Sequence, residues 1–260
     1  MKKLSFLLLS LLAVTLLTAC GSEDDPVNKQ TVSSTINARM INVADGSVVF
    51  SQNTGKIEVN FTDKTIQFTC SYKDLNGQTQ NLTTPVMKLV SQKGSVYYME
   101  TGSQAIARVG RIDMSSGMML YRVSDPEAGT QLVITTNLLY AYATTTMTNP
   151  ENGNHGSHEM SAYLFALNSR GDKCTFSISN FMSNLNAAVD APEVIYDGLT
   201  VTPTGNGYKI TAASVESNYN GFYTLTDVDF TLSEQCEVIN GSFKCNGINY
   251  SVTGTLFPAD

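Results

Sequence analysis

Apolar residues in this chain recur at every second position rather than at the three-to-four spacing of a helix. Ile66, Phe68, Cys70 and Tyr72 alternate with Gln67, Thr69 and Ser71, giving a ribbon with one apolar face and one wet face. The same period runs through Ile57, Val59 and Phe61, and through Cys174, Phe176 and Ile178. It returns in Tyr208, Ile210 and Ala212, and in Val228, Phe230 and Leu232. Past the N-terminal segment, no stretch keeps an apolar stripe at i, i+3, i+4 and i+7 for three turns. Between the runs stand Asn53-Thr54-Gly55, Asn76-Gly77, Lys93-Gly94, Gly205-Asn206-Gly207, Asn220-Gly221, Asn240-Gly241 and Asn246-Gly247. Asn-Gly suits a two-residue hairpin turn because both central residues need positive φ. Regularly spaced short strands with such turns predict an all-β fold, an antiparallel barrel or sandwich.

The N-terminus is read differently. Met1-Lys2-Lys3 is a short basic start, Leu4 to Leu17 is an apolar run, and Leu17-Thr18-Ala19-Cys20 closes it. That order is a secretory signal, and the run is short for a membrane span of about 20 residues. Residues 1–19 are expected to be removed. Leu-Thr-Ala-Cys resembles the bacterial lipobox, which implies that Cys20 carries the lipid and anchors the chain to a membrane. More than one acyl chain at a single residue suits stable anchoring. Residues 20–31 read as a lipidated acidic tether. Gly21-Ser22-Glu23-Asp24-Asp25-Pro26 resembles the export signal of Bacteroidetes lipoproteins, which implies the outer face of the outer membrane, with the periplasmic face as the alternative.

The halves of the remaining chain are alike. Thr65 to Cys70 can be laid on Lys173 to Ile178, matching Phe68 with Phe176. Some way beyond each comes a Pro, Pro85 and Pro192, and then a Gly- and Tyr-bearing hairpin. This predicts two tandem units of similar build, residues 32–128 and 129–260, with the boundary near Pro126 to Thr130.

Four further cysteines remain: Cys70, Cys174, Cys236 and Cys245. A two-residue turn at Asn240-Gly241 would set Cys236 opposite Cys245 in a non-hydrogen-bonded pair, close enough for a disulfide. The same register would face Glu237 with Lys244. A Cys236–Cys245 disulfide is therefore expected. Cys70 and Cys174 sit on apolar strand faces, as small core residues or as a bridge between the halves.

Little in the chain announces chemistry. The net charge of −7 becomes −9 when Lys2 and Lys3 leave with residues 1–19, and no basic cluster is evident, so nucleic acid is not the expected partner. The two histidines, His155 and His158, fall in Asn154-His155-Gly156-Ser157-His158-Glu159, read as an exposed loop and not as a metal site. No nucleophile elbow, phosphate loop or dinucleotide fingerprint is present. No cofactor, metal site or catalytic residue is expected. Trp is absent, so any sugar platform would use Tyr97, Tyr98, Tyr140, Tyr142, Tyr219 or Tyr223.

Ile195 to Ile210 (Ile-Tyr-Asp-Gly-Leu-Thr-Val-Thr-Pro-Thr-Gly-Asn-Gly-Tyr-Lys-Ile) and the ending Tyr250 to Leu256 resemble the calycin-like β-barrel lipoproteins of gut Bacteroidetes. The resemblance is good over the last third of the chain and faint over the first half. It implies small antiparallel barrels and supplies no functional residue. The resulting expectation is a non-catalytic binding or interaction module, holding an apolar or glycan ligand, or a protein partner, in a barrel or at its rim. A barrel filled by its own side chains would count against it. The alternative is a pilin or adhesin subunit assembled by strand addition, in which Arg39 would be a processing site; the other reading of Arg39 is an ordinary strand residue.

Overall fold

A computed structural model describes residues 29–102, 107–183, 185 and 189–257. Residues 1–19, the lipidation reading at Cys20, and the tether as far as residue 28 lie outside them. Lys29-Gln30-Thr31, expected from sequence to be part of the tether, already belong to the first strand. Seventeen strands are the regular elements among the described residues. In the first half these are β1 (Lys29–Asn42), β2 (Val48–Asn60), β3 (Thr65–Lys73), β4 (Thr79–Thr83), β5 (Met87–Lys93), β6 (Val96–Thr101), β7 (Ala107–Asp113), β8 (Met119–Asp125) and β9 (Thr130–Thr136). In the second they are β10 (Leu138–Thr148), β11 (His155–Leu167), β12 (Lys173–Phe181), β13 (Ala191–Thr204), β14 (Gly207–Val215), β15 (Leu225–Ser233), β16 (Val238–Cys245) and β17 (Ile248–Thr255).

The second half is a closed antiparallel barrel in which each strand pairs with the next and β17 returns to β10. The first half closes as well. β1 pairs β2, β2 pairs β3, β3 pairs β5, and β5 to β9 follow in order until β9 returns to β1. β4 hangs from β3 outside this circuit. The protein is thus two tandem eight-stranded barrels, as the alternation and the similarity of the halves predict. The overlay of the halves is also correct in position. Phe68 lies on β3 and Phe176 on β12, each the third strand of its barrel. The Gly94 hairpin and the Gly205-Asn206 hairpin each join the fourth and fifth strands of their circuits.

The boundary lies later than predicted. The chain leaves one barrel at Thr136 and enters the next at Leu138. Residues 126–129 form the β8–β9 turn, and β9 then returns to pair with β1. Turn chemistry is local, whereas ring closure joins residues about ninety positions apart, which local composition does not mark.

Two glycine motifs behave differently from the rest. Asn246-Gly247 is a two-residue turn with both φ positive, 50° and 77°. Asn240-Gly241 and Asn53-Thr54-Gly55 lie inside strands. A Cβ at Gly241 would stand 2.0 Å from the Phe230 ring, and one at Gly55 would stand 2.1 Å from Ile36. Glycine serves there to let a neighbouring side chain lie across the backbone.

Both interiors are filled. The second barrel holds a stack of rings: Phe165 on Phe176 at 4.9 Å, Phe176 on Tyr196 at 5.7 Å, and Phe243 on Tyr250 at 4.5 Å. The polar tips find partners: Tyr196 donates to Tyr223 O, Tyr250 to Met182 O, and the Tyr163 hydroxyl bonds Thr145. The first barrel is packed by Ile36, Phe68, Met87, Met99, Met119, Tyr121 and Ile134.

The barrels are fused side to side. Ile41, Val96, Met118, Leu120 and Val133 of the first belong to the same apolar cluster as the second barrel's core. Through this contact runs a buried ion pair between Arg39 on β1 and Glu234 in the β15–β16 turn, both fully shielded from water. Arg39 also donates to Thr204 O and to Gly207 O (3.0 Å), and its guanidinium lies 4.7 Å from the centre of the Tyr208 ring. Gln52 bridges Asn37, Asn137 and Leu167 O. Asp113 accepts from Ser95, Ser115 and Ser116 in the first barrel and from Tyr142 Oη in the second. Burial alone would raise its pKa, but the hydrogen bonds from Ser95, Ser115 and Ser116 outweigh that and hold it below the ordinary carboxylate range.

Two outcomes follow from the junction. Arg39→Ala strands a buried carboxylate and is expected to cost about 3–5 kcal/mol in urea unfolding. The double replacement Arg39→Met with Glu234→Leu is expected to recover most of that loss. Asp113, with its depressed folded pKa, contributes stability that is present above its unfolded value of about 4 and lost as pH falls through the folded value. Thermal midpoints are expected to be flat above about pH 5 and to fall below about pH 4, with a shallower fall in Asp113→Asn.

Candidate functional site

With both interiors occupied, space for a ligand lies outside the barrels. Two clefts lie along the junction. One, of about 450 Å³, is lined by Tyr98, Arg108, Arg111, Arg122, Ser124 and Glu237, with Val109 and Gly110 between the first two arginines. The other, of about 620 Å³, includes Val43, Ser124, Asp125, Gly205 and Gln235. Ser124 belongs to both, so they form one groove. These volumes fall in the range of small-ligand sites, about 300–1,000 Å³.

A β-bulge explains how the arginines meet. Tyr98 pairs Arg111 and Glu100 pairs Arg108, but the register shifts between Met99 and Glu100, so Val109 is an extra residue in β7. Arg108 and Arg111 are three apart and would face opposite sides of a regular strand. The inserted residue brings both to the face of Tyr98 and Glu100. Their guanidinium carbons lie 4.0 Å and 4.9 Å from the Tyr98 ring centre. Arg108 Nε donates to Glu100 at 3.0 Å. Arg111 and Arg122 share Glu237 of the second barrel, at 3.0 and 2.7 Å, and Arg122 also donates to Gln235 O. Two carboxylates therefore serve three guanidiniums, leaving the outer face of this first cleft one positive charge in excess, while Asp125 lines the adjoining cleft.

The bulge also parts two strands. β7 and β8 pair only at Gly110–Tyr121, Arg111–Leu120 and Ile112–Met119. At the Gly110–Tyr121 contact a Cβ on Gly110 would stand 2.0 Å from Leu120 O, so only glycine allows the approach. Beyond Gly110 the strands separate. Residues 107–109 keep β6 and residues 122–125 keep β9, but among the described residues neither run pairs with the other. The cleft is this gap in the barrel wall.

The arginine site escapes a reading of the sequence because its members lie apart in the chain. A usable signal is present: three of the five arginines fall within fifteen residues, 108 to 122. Of the tyrosines considered as sugar platforms, Tyr98 lies in the cleft with guanidiniums over its ring. Tyr140 and Tyr142 meet edge-on at the junction. Tyr219 and Tyr223 meet edge-on in the β14–β15 loop, beside an exposed Phe222. Tyr97 packs against the first core.

Several expectations are corrected. His155 and His158 are not in a loop; they begin β11, opposite Thr148 and Thr145. His158 borders a space of about 10 Å³, enough for about one water. Arg39 is the strand residue of its second reading, fully buried and paired on both sides, so as a processing site it is out of a protease's reach in the folded protein. The Cys236–Cys245 disulfide is not formed. The β15–β16 turn spans residues 234–237, with Ser233 opposite Val238, so Cys236 sits at one end of β16 and Cys245 at the other. At about 3.3 Å per residue the two stand roughly 25 Å apart, far beyond the ~7 Å limit for a bridge. Glu237 consequently faces the arginines, not Lys244, which pairs with Asp227. All four described cysteines are free, and Cys70 and Cys174 are not bridged. Burial pushes the thiol of Cys70 up to about 11 and those of Cys174 and Cys245 up to about 12.

No protein-family model matches the chain, and no curated protein matches it. Among solved structures, the isotype 1 transferrin-binding protein B from serogroup B Neisseria meningitidis is similar over 88% of this chain and 77% of that one. The identity is 10% and the TM-score 0.28, too distant to carry an argument about this chain.

A thiol reagent is expected to modify Cys236, the exposed one, rapidly in the folded protein, and Cys70, Cys174 and Cys245 only on unfolding. Peptide masses are expected to be the same with and without reductant; a linked Cys236–Cys245 peptide would overturn the β15–β16 register.

Proposed function

We propose that the protein is a non-catalytic binding module, tethered to the outer membrane by lipid on Cys20 and displayed at the cell surface, that engages its ligand in the groove between its two barrels. The observation that carries this reading is the contrast between packed interiors and a parted wall. Among the described residues the two cores are packed by their own side chains, which favours a ligand site outside the barrels. The junction is rigid, being held by a shared apolar cluster and a buried ion pair. A rigid wall around an open, charged groove is what preorganised binding requires. The lipid anchor and surface display rest on the sequence of residues 1–26. The absence of catalytic chemistry rests on the sequence as well.

The reading is tested in two parts. Cys20→Ser is expected to abolish incorporation of labelled palmitate and to release the protein from membranes. Replacing Ser124, at the middle of the groove, by Trp is expected to lower capture of the native ligand from the cell's surroundings by tenfold or more, with the thermal midpoint unchanged. Equal capture by Ser124→Trp would move the site elsewhere.

A further inference from the structure

We infer that the gap between β7 and β8 receives an extended polypeptide segment with acidic side chains at every second position and apolar ones between, added as a strand. The inference rests on the binding-module reading and names its partner class.

Three observations carry it. First, the two sides of the gap are strand edges. Residues 107–109 and 122–125 are held in strands by β6 and β9 yet have no strand opposite them across the cleft among the described residues. Such edges offer main-chain donors and acceptors to an incoming extended chain, which satisfies them by ordinary ladder bonds. A saccharide lacks the regular amide spacing to do this on both sides at once.

Second, the two faces of the gap differ in chemistry, and strand geometry converts that into a pattern. Arg111 pairs Leu120 and shares its face, and Arg122 lies two residues on along β8, so Arg108, Arg111 and Arg122 all face the outer side. Val123 has the opposite parity, that of Tyr121 on the inner side, and Val109 packs against the inner cluster. An inserted strand would turn alternate side chains to these two faces. Carboxylates on the outer side would meet the excess positive charge, and apolar groups on the inner side would cover Val109 and Val123.

Third, Val123 is 42% exposed although it lies within a strand whose parity points it inward. Its neighbour in that parity, Tyr121, is buried. Exposure begins where the β7–β8 pairing stops, so the uncovered surface coincides with the missing strand.

The test uses fluorescence anisotropy with the full-length protein and a labelled peptide, Gly-(Glu-Val)₄-Gly. Its block isomer Gly-Glu₄-Val₄-Gly, the basic analogue Gly-(Lys-Val)₄-Gly, and an oligogalacturonate of similar length serve as competitors. The alternating acidic peptide is expected to bind, and to slow amide exchange at residues 107–109 and 122–125. The block isomer and the basic analogue are expected to compete poorly. Arg108→Gln, at a side chain largely in solvent, is expected to weaken binding about tenfold, the worth of one charge-assisted contact. Val123→Glu is expected to weaken it at least as much. Equal competition by the block isomer, or binding without new amide protection, would overturn strand addition. Competition by oligogalacturonate that exceeds the peptide and is lost in Arg108→Gln would overturn the peptide assignment while leaving the groove as a binding site. Binding by none of these probes would overturn the inference, and the binding-module reading would then stand or fall on capture by Ser124→Trp.

Discussion

A sheet of alternating strands has one apolar face to hide and two unpaired edges to satisfy, and ring closure meets both demands at once. In each half of this protein the first strand must find the last: β1 with β9, and β10 with β17. Once those ladders form, the apolar face becomes an interior. Its volume is then set by eight strands and must be filled by whatever side chains point inward. The second barrel fills it with stacked rings and the first with methionines, Ile and two aromatic residues in edge-on contact, Phe68 and Tyr121. Everything else in the structure is built on those two closed walls.

The junction adds a second layer of constraint. Outer-face residues of the first barrel, such as Leu120 and Val133, pack into the cluster of the second. Within that apolar contact Arg39 and Glu234 are an expensive pair to bury, because each loses its hydration. The pair is rescued by carbonyls of Thr204 and Gly207 and by the Tyr208 ring. A buried pair of this kind tolerates little sliding, so it fixes how one barrel sits against the other. The positions of Glu237 and Arg122, which meet across the junction, follow from that fixed pose.

The place where the β7–β8 ladder stops short is informative for the same reason. A single bulge at Val109 turns two arginines to one face, bends β7, and ends its pairing with β8 after three residue pairs. Along its long ladders, such as β1–β2 and β1–β9, the wall satisfies itself. Here it presents strand edges, positive charge and an exposed valine together.

The all-β class, most strand positions and the doubling of the unit were legible in the sequence, because period-two alternation is a local property written in consecutive residues. Phe68 and Phe176 even aligned by ring position. What depended on pairing partners was not legible. Gly241 reads as a turn until Phe230 is seen to lie across it, and that single displacement moved the hairpin, separated Cys236 from Cys245 and sent Glu237 to the arginines. Arg39 reads as a strand residue open to a protease until its partners, 165 residues and more away, are in place. The sequence by itself determined that the chain would build twisted, one-sided sheets, since side-chain alternation and turn residues act over a few positions. Only the tertiary structure decided where the rings close, how the barrels lock and where the wall parts, because those outcomes rest on contacts between residues that the chain keeps far apart.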